Sequence, residues 1–122
     1  SDSGVFVSTF TKVALTGAAN GLAIKVAATS SAGTTIHTAI AGTSSFDEIW
    51  LWATNTSASD VVLTIQYGGT TSPDNDNLFT VTSKDGLKVI VPGLILQNTL
   101  VVKAYAATTN VIQIYGFVNR IT

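Results

Sequence analysis

Cysteine is absent from these 122 residues, and so is methionine. No disulfide framework and no thiolate metal site can be built, and stability has to come from packing alone. Charge is scarce too: 11% of residues are Asp, Glu, Lys or Arg, against roughly a quarter in an ordinary soluble domain. The six cations, Lys12, Lys25, Lys84, Lys88, Lys103 and Arg120, are scattered along the chain and the net charge is −1. Nucleic acid and anionic membrane call for a clustered basic face, so neither is expected as a partner. No apolar run approaches the ~18–20 residues of a transmembrane helix, and the opening SDSGVF lacks the basic and apolar regions of a signal peptide. A soluble chain is expected. There is one histidine, His37, and no GxSxG elbow, P-loop or HExxH helix, so neither an enzyme nor a cofactor is expected.

Serine and threonine fill the space that charge leaves. Together they number 30, a composition poor in helix formers and rich in strand and turn formers. Hydrophobic residues make up 46%, and the mean hydropathy of +0.42 is high for a soluble β domain, which implies that another chain covers part of the surface. The length fits a single domain.

Apolar residues alternate in short runs separated by turn signals about every 8–12 residues, and no segment shows a 3.6-residue period. Residues 1–16 read as an N-terminal arm or edge strand, and residues 17–122 as a β-sandwich domain. The expected fold is all-β, an antiparallel sandwich of about eight to ten strands. A jelly roll fits this strand count better than an immunoglobulin-like sandwich, whose Cys and Trp pairing is missing.

The stretch Phe46 to Gly69 organises the rest. It reads as a hairpin with a wide polar loop, Ile49 and Leu51 on one face of its first strand and Trp50 and Trp52 on the other. Both faces are apolar, so one meets the opposite sheet and the tryptophan face lies nearer a subunit contact. Asp85-Gly86 signals a second hairpin turn, and Pro92-Gly93 closes the run before it. Gly116, inside the last strand, marks a bulge or a close approach of another backbone.

Residues with chemical potential are few. His37 reads as a strand residue at the surface or in a subunit contact, because a working site needs convergent partners. Asp47 and Glu48 are adjacent on a strand and point to opposite faces, so they do not act as an acid-base pair. The expected role is a solvated strand start. Asp74-Asn75-Asp76-Asn77 resembles a run of calcium ligands but lacks the glycine and distal glutamate of an EF-hand, and reads as a turn. The candidate partner interface comprises Phe6, Phe10, Trp50, Trp52, Tyr105 and Tyr115. The rings Trp50, Trp52, Tyr67, Tyr105 and Tyr115 could alternatively form a platform for a sugar.

The segments DEIWLWATNT, GGTT, VPGL and GFVNRI, spread over the last two-thirds of the chain, resemble small β-rich virion proteins of tailed bacteriophages of marine or cyanobacterial type. The resemblance implies a capsid decoration or cement protein on the capsid exterior, a homotrimer bound to the major capsid protein. The alternative is a carbohydrate- or receptor-binding module of a head or tail fibre, with a surface glycan as partner.

Overall fold

In the computed structural model, which describes residues 7–122, the alternating runs form nine strands, with no helix among the described residues. They are β1 (Phe10–Ala14), β2 (Ile24–Lys25), β3 (Thr34–Thr38), β4 (Phe46–Asn55), β5 (Val61–Tyr67), β6 (Asp76–Val81), β7 (Lys88–Leu96), β8 (Val101–Ala106) and β9 (Ile112–Ile121). One sheet runs β1-β9-β4-β7 with β2 also on β9, and the other runs β3-β8-β5-β6. Every strand pair is antiparallel.

β1 pairs with Phe117–Ile121 and β2 with Ile114 and Gln113, so the two are one edge strand interrupted by the loop 15–23. Counted this way the sandwich has eight strands, first beside last and second beside next-to-last. This is the jelly-roll order.

The core follows from period-2 alternation in the central strands. Ile49, Leu51 and Ala53 of β4, beside Ile112, Ile114 and Val118 of β9 in the same sheet, face Leu63 and Ile65 of β5 and Val102 and Ala104 of β8, all within 1% of complete burial. Each such aliphatic side chain contributes about 1.5–3 kcal/mol on burial. A one-residue slip of β4 would exchange this set for its outward set, so the register is tightly specified.

Three expectations change. Phe46 to Gly69 is not a hairpin, because β4 lies between β9 and β7 while β5 lies between β8 and β6 in the other sheet. Asn55 directs the crossing. Its amide donates to the carbonyls of Ser59 and Val81 at 2.8 and 2.9 Å, and its oxygen accepts from the backbone and hydroxyl of Ser57. The turn at Asp85-Gly86 likewise carries the chain between sheets, with Lys84 and Gly86 at positive φ. The polar connection 68–75 makes the β5–β6 hairpin instead.

Pro92-Gly93 does not end a strand. β7 runs through it, and its pairing with β4 shifts register there and again near Ile90. Gly93 has φ +78°, and a Cβ on it would lie 2.7 Å from the Trp50 indole, so the bulge requires glycine. At Gly116 the β4–β9 register is continuous, and a Cβ would lie 2.1 Å from the Trp50 carbonyl oxygen. Close approach, rather than a bulge, explains that residue.

Candidate functional site

Two constellations stand out, one buried between the sheets and one on the outer face of the five-stranded sheet. The buried one contains His37, Asp47 and Arg120. Asp47 and Arg120 are register partners on β4 and β9. Arg120 donates from Nε to Asp47 Oδ1 at 2.8 Å and from Nη2 to Oδ2 at 3.0 Å. His37 reaches the same carboxylate from the other sheet, its Nε2 lying 2.7 Å from Oδ2, and the Ile40 backbone N–H donates to Oδ2 at 3.0 Å.

Neither His37 nor Asp47 is at the surface, contrary to expectation. Both are completely buried. For His37 the reason is a β-bulge. β3 slips register on β8 between Thr35 and His37, so Ile36 and His37 both turn inward where strict alternation would separate them. For Asp47 the reason is the paired guanidinium, which makes burial of a carboxylate tolerable. Burial by itself pushes the Asp47 carboxyl up, but the hydrogen bonds from Arg120 and His37 and the guanidinium charge outweigh it and hold it below its ordinary value of 3.8. The Asp47 bond in turn raises Arg120 against the effect of its own partial burial.

The chemistry of this cluster is that of a clasp. His37 Nδ1 accepts the Thr16 backbone N–H at 3.1 Å, which assigns the ring proton to Nε2 and directs it at Asp47. Both ring nitrogens are thereby engaged. The cluster ties β3 of one sheet to β4 and β9 of the other, and the loop after β1 to both.

The second constellation is aromatic. Trp50 and Trp52 of β4 and Phe117 of β9 have centroids 6.0–6.4 Å apart and planes within 25° of parallel. Lys12 of β1 places its ammonium 4.6 Å from the Phe117 centroid, and Trp50 Nε1–H donates to Glu48 at 2.9 Å. Glu48 therefore sits beside the rings and not at a solvated strand start. Around them Phe10 is 63%, Ile95 58% and Tyr115 39% exposed.

Of the residues expected at a partner interface, Phe10, Trp50, Trp52 and Tyr115 share this face. Tyr105 lies in the four-stranded sheet, opposite Thr64, and does not join them. Phe6 lies outside the described residues. Tyr67, half-buried, packs against the core, and burial raises its phenol to about 12. Phe117 and Lys12 were not singled out by the sequence. Phe117 shares its parity with Tyr115 on β9, but a face position gains meaning only when β4 is known to be the neighbour.

Asp74–Asn77 forms the end of the β5–β6 hairpin. Asn75 Oδ1 accepts the Thr71 N–H at 2.9 Å, and the Ser72 hydroxyl donates to Asp76 Oδ2 at 2.7 Å. These side chains bond to their own turn, as Asx-rich turns do. Among the described residues no group of three or more His, Cys, Asp or Glu is placed to hold a metal.

Comparison with protein families, curated proteins and solved structures finds no match.

Proposed function

We propose that this chain is a non-enzymatic structural protein of a tailed-phage virion, decorating and stabilising the capsid exterior through contacts with the major capsid protein and with copies of itself. The observation that carries this reading is the outer face of the five-stranded sheet. Trp50, Trp52 and Phe117 are only half-buried there, flanked by exposed Phe10, Phe46, Val89 and Ile95. An apolar face of this kind on a soluble domain marks a surface that another chain covers. Two further points support the reading. The jelly roll is a fold of capsid and lectin domains, and the segments resembling phage virion proteins include the β4 and β9 stretches that form this face. The buried ionic cluster serves to lock the sandwich and leaves the outer face as the working surface.

The test is immunogold electron microscopy, with antibody to this chain, of phage particles purified from a lysate in which the chain is produced. Gold on the heads is expected. Label confined to unassembled protein, with bare heads and tails, would overturn the assignment.

One observation favours a second reading, a glycan-binding module: the near-parallel Trp50, Trp52 and Phe117 rings with exposed Tyr115 beside them. Aromatic faces stack on the apolar faces of sugars. Saccharide titration followed by tryptophan fluorescence tests it, and an emission shift that saturates would favour this reading over the first.

A further inference from the structure

We infer that His37 and Thr16 form an acid-sensitive latch: a second proton on the imidazole releases the start of the loop 15–23 from β3, while the clasp of Asp47 and Arg120 stays closed. The inference rests on the buried cluster and stands apart from the virion assignment, which particle labelling tests separately.

The loop 15–23 joins β1 to β2 along the edge of the five-stranded sheet, yet its first residues are held by β3 of the other sheet. Three bonds hold them there. The Thr16 N–H donates to His37 Nδ1 at 3.1 Å, the Thr38 N–H donates to Thr16 Oγ1 at 2.7 Å, and the Gly17 N–H donates to the Ile36 carbonyl at 3.0 Å. The fit is close, since a Cβ on Gly17 would lie 2.5 Å from the Thr35 carbonyl oxygen. Of the three acceptors only Nδ1 turns into a donor on taking a proton.

Nδ1 accepts from Thr16 because the ring proton sits on Nε2 and points at Asp47. A second proton can bind only at Nδ1. Two N–H groups would then confront each other at hydrogen-bond distance, and the Thr16 backbone has to turn away. Thr16 and Gly17 take part in all three bonds, so the set fails together. Both residues are exposed although His37 is completely buried, so water replaces Thr16 as the partner of Nδ1. Leu15, 2% exposed, stays in the core as the fixed point.

The charges around the ring decide what remains. On β4 the Asp47 carboxylate favours the imidazolium and keeps its bond to Nε2, and on β9 the Arg120 guanidinium, bound to that same carboxylate, opposes it. On β8 the register partner of His37 is Val102, and Lys103 alternates to the outer face. The loop brings Leu15 and Thr16, which carry no charge. The sign then follows from linkage: the open latch binds one proton more than the closed one, so acid favours opening, by up to about tenfold per pH unit.

The test is amide hydrogen exchange resolved by NMR from about pH 8 to 4.5, corrected for the intrinsic effect of pH, with the ring nitrogen resonances of His37 followed in the same samples. At the alkaline end the ring is expected to carry its proton on Nε2. As His37 takes its second proton, the Thr16, Gly17 and Thr38 amides are expected to lose protection together, by about tenfold or more. The Ile40 amide, which donates to Asp47, keeps its protection. His37→Gln offers a donor and an acceptor but takes no proton, and its Thr16 protection is expected to stay constant over the range.

Should that variant fail to fold by circular dichroism, the wild-type chain decides alone. A ring proton on Nδ1 at the alkaline end, or a His37 that stays singly protonated until the chain unfolds, would overturn the inference. So would Thr16 protection that persists through the titration of His37, or Thr16 exchanging without Gly17 and Thr38. Loss of Ile40 protection in parallel would mean that the whole cluster opens, and an acid-labile Thr16 in His37→Gln would mean that another group titrates; either result overturns it as well.

Discussion

Replacing Asp47 with alanine removes the acceptor of four hydrogen bonds, those from His37 Nε2, the Ile40 backbone and two Arg120 nitrogens. The losses are unequal. The Arg120 side chain is 26% exposed and can turn toward water, so its stranding costs little. His37 is completely buried and the Ile40 N–H loses its partner beside it, and a buried donor without a partner costs about 1–3 kcal/mol. Relief from burying a carboxylate offsets part of this. The expected net loss is about 2–4 kcal/mol, two buried donors at about 1–3 kcal/mol each less that relief. With a urea m-value of about 1.5 kcal/mol/M for a chain this size, the unfolding midpoint falls by about 1–3 M. Arg120→Ala is the companion variant. It leaves His37 and Ile40 bonded to the carboxylate but strips a completely buried charge of its guanidinium, and is expected to cost about 3–5 kcal/mol. Equilibrium urea unfolding of the three proteins, followed by tryptophan fluorescence and circular dichroism, reads both numbers. A loss below about 1 kcal/mol for either variant would refute the view that Asp47 is the hub joining the two sheets.

Two further outcomes follow from the structure. Because Asp47 is held below its ordinary carboxyl value in the folded state, its contribution is complete above about pH 4 and is lost as pH falls through the folded value. Urea midpoints measured from pH 6 down to 2 should therefore fall more steeply for wild type than for Asp47→Ala, and parallel acid limbs would contradict this. Gly116→Ala puts a Cβ 2.1 Å from a β4 carbonyl that cannot move without breaking the sheet, so a loss of about 3 kcal/mol or a failure to fold is expected. Gly42→Ala, with positive φ but open space around it, should cost only about 1–2 kcal/mol, and equal losses in thermal melts of the two would contradict the role given to close backbone approach.

The outer aromatic face was partly readable from sequence. Trp50 and Trp52 share parity on a strand whose other face is Ile49, Leu51 and Ala53, and this alone places one set in the core and the other outside it. Tyr115 could be assigned to a strand but not to a neighbour. Tyr105 had equal claim, and only the pairing of β9 with β4, and of β8 with β5, separates the two. His37 was hidden for a different reason. Alternation assigns it to the face opposite Ile36, and the bulge that turns both inward leaves no mark in the residues of β3. The sense of the long connections was hidden too, because polar turn residues state that the chain turns but not whether it returns to the same sheet.

The sequence by itself determined what is local: strands where β-branched residues alternate, turns where Gly, Asn, Asp and Pro cluster, and an apolar side for each central strand. Tertiary structure alone decided which strands became neighbours, because antiparallel pairing joins residues far apart in the chain and is selected by the packing of the whole core. From that choice come the ion pair of Asp47 with Arg120 across β4 and β9, the imidazole that closes it from the opposite sheet, and the single face on which Lys12, Phe117, Trp50 and Glu48 meet.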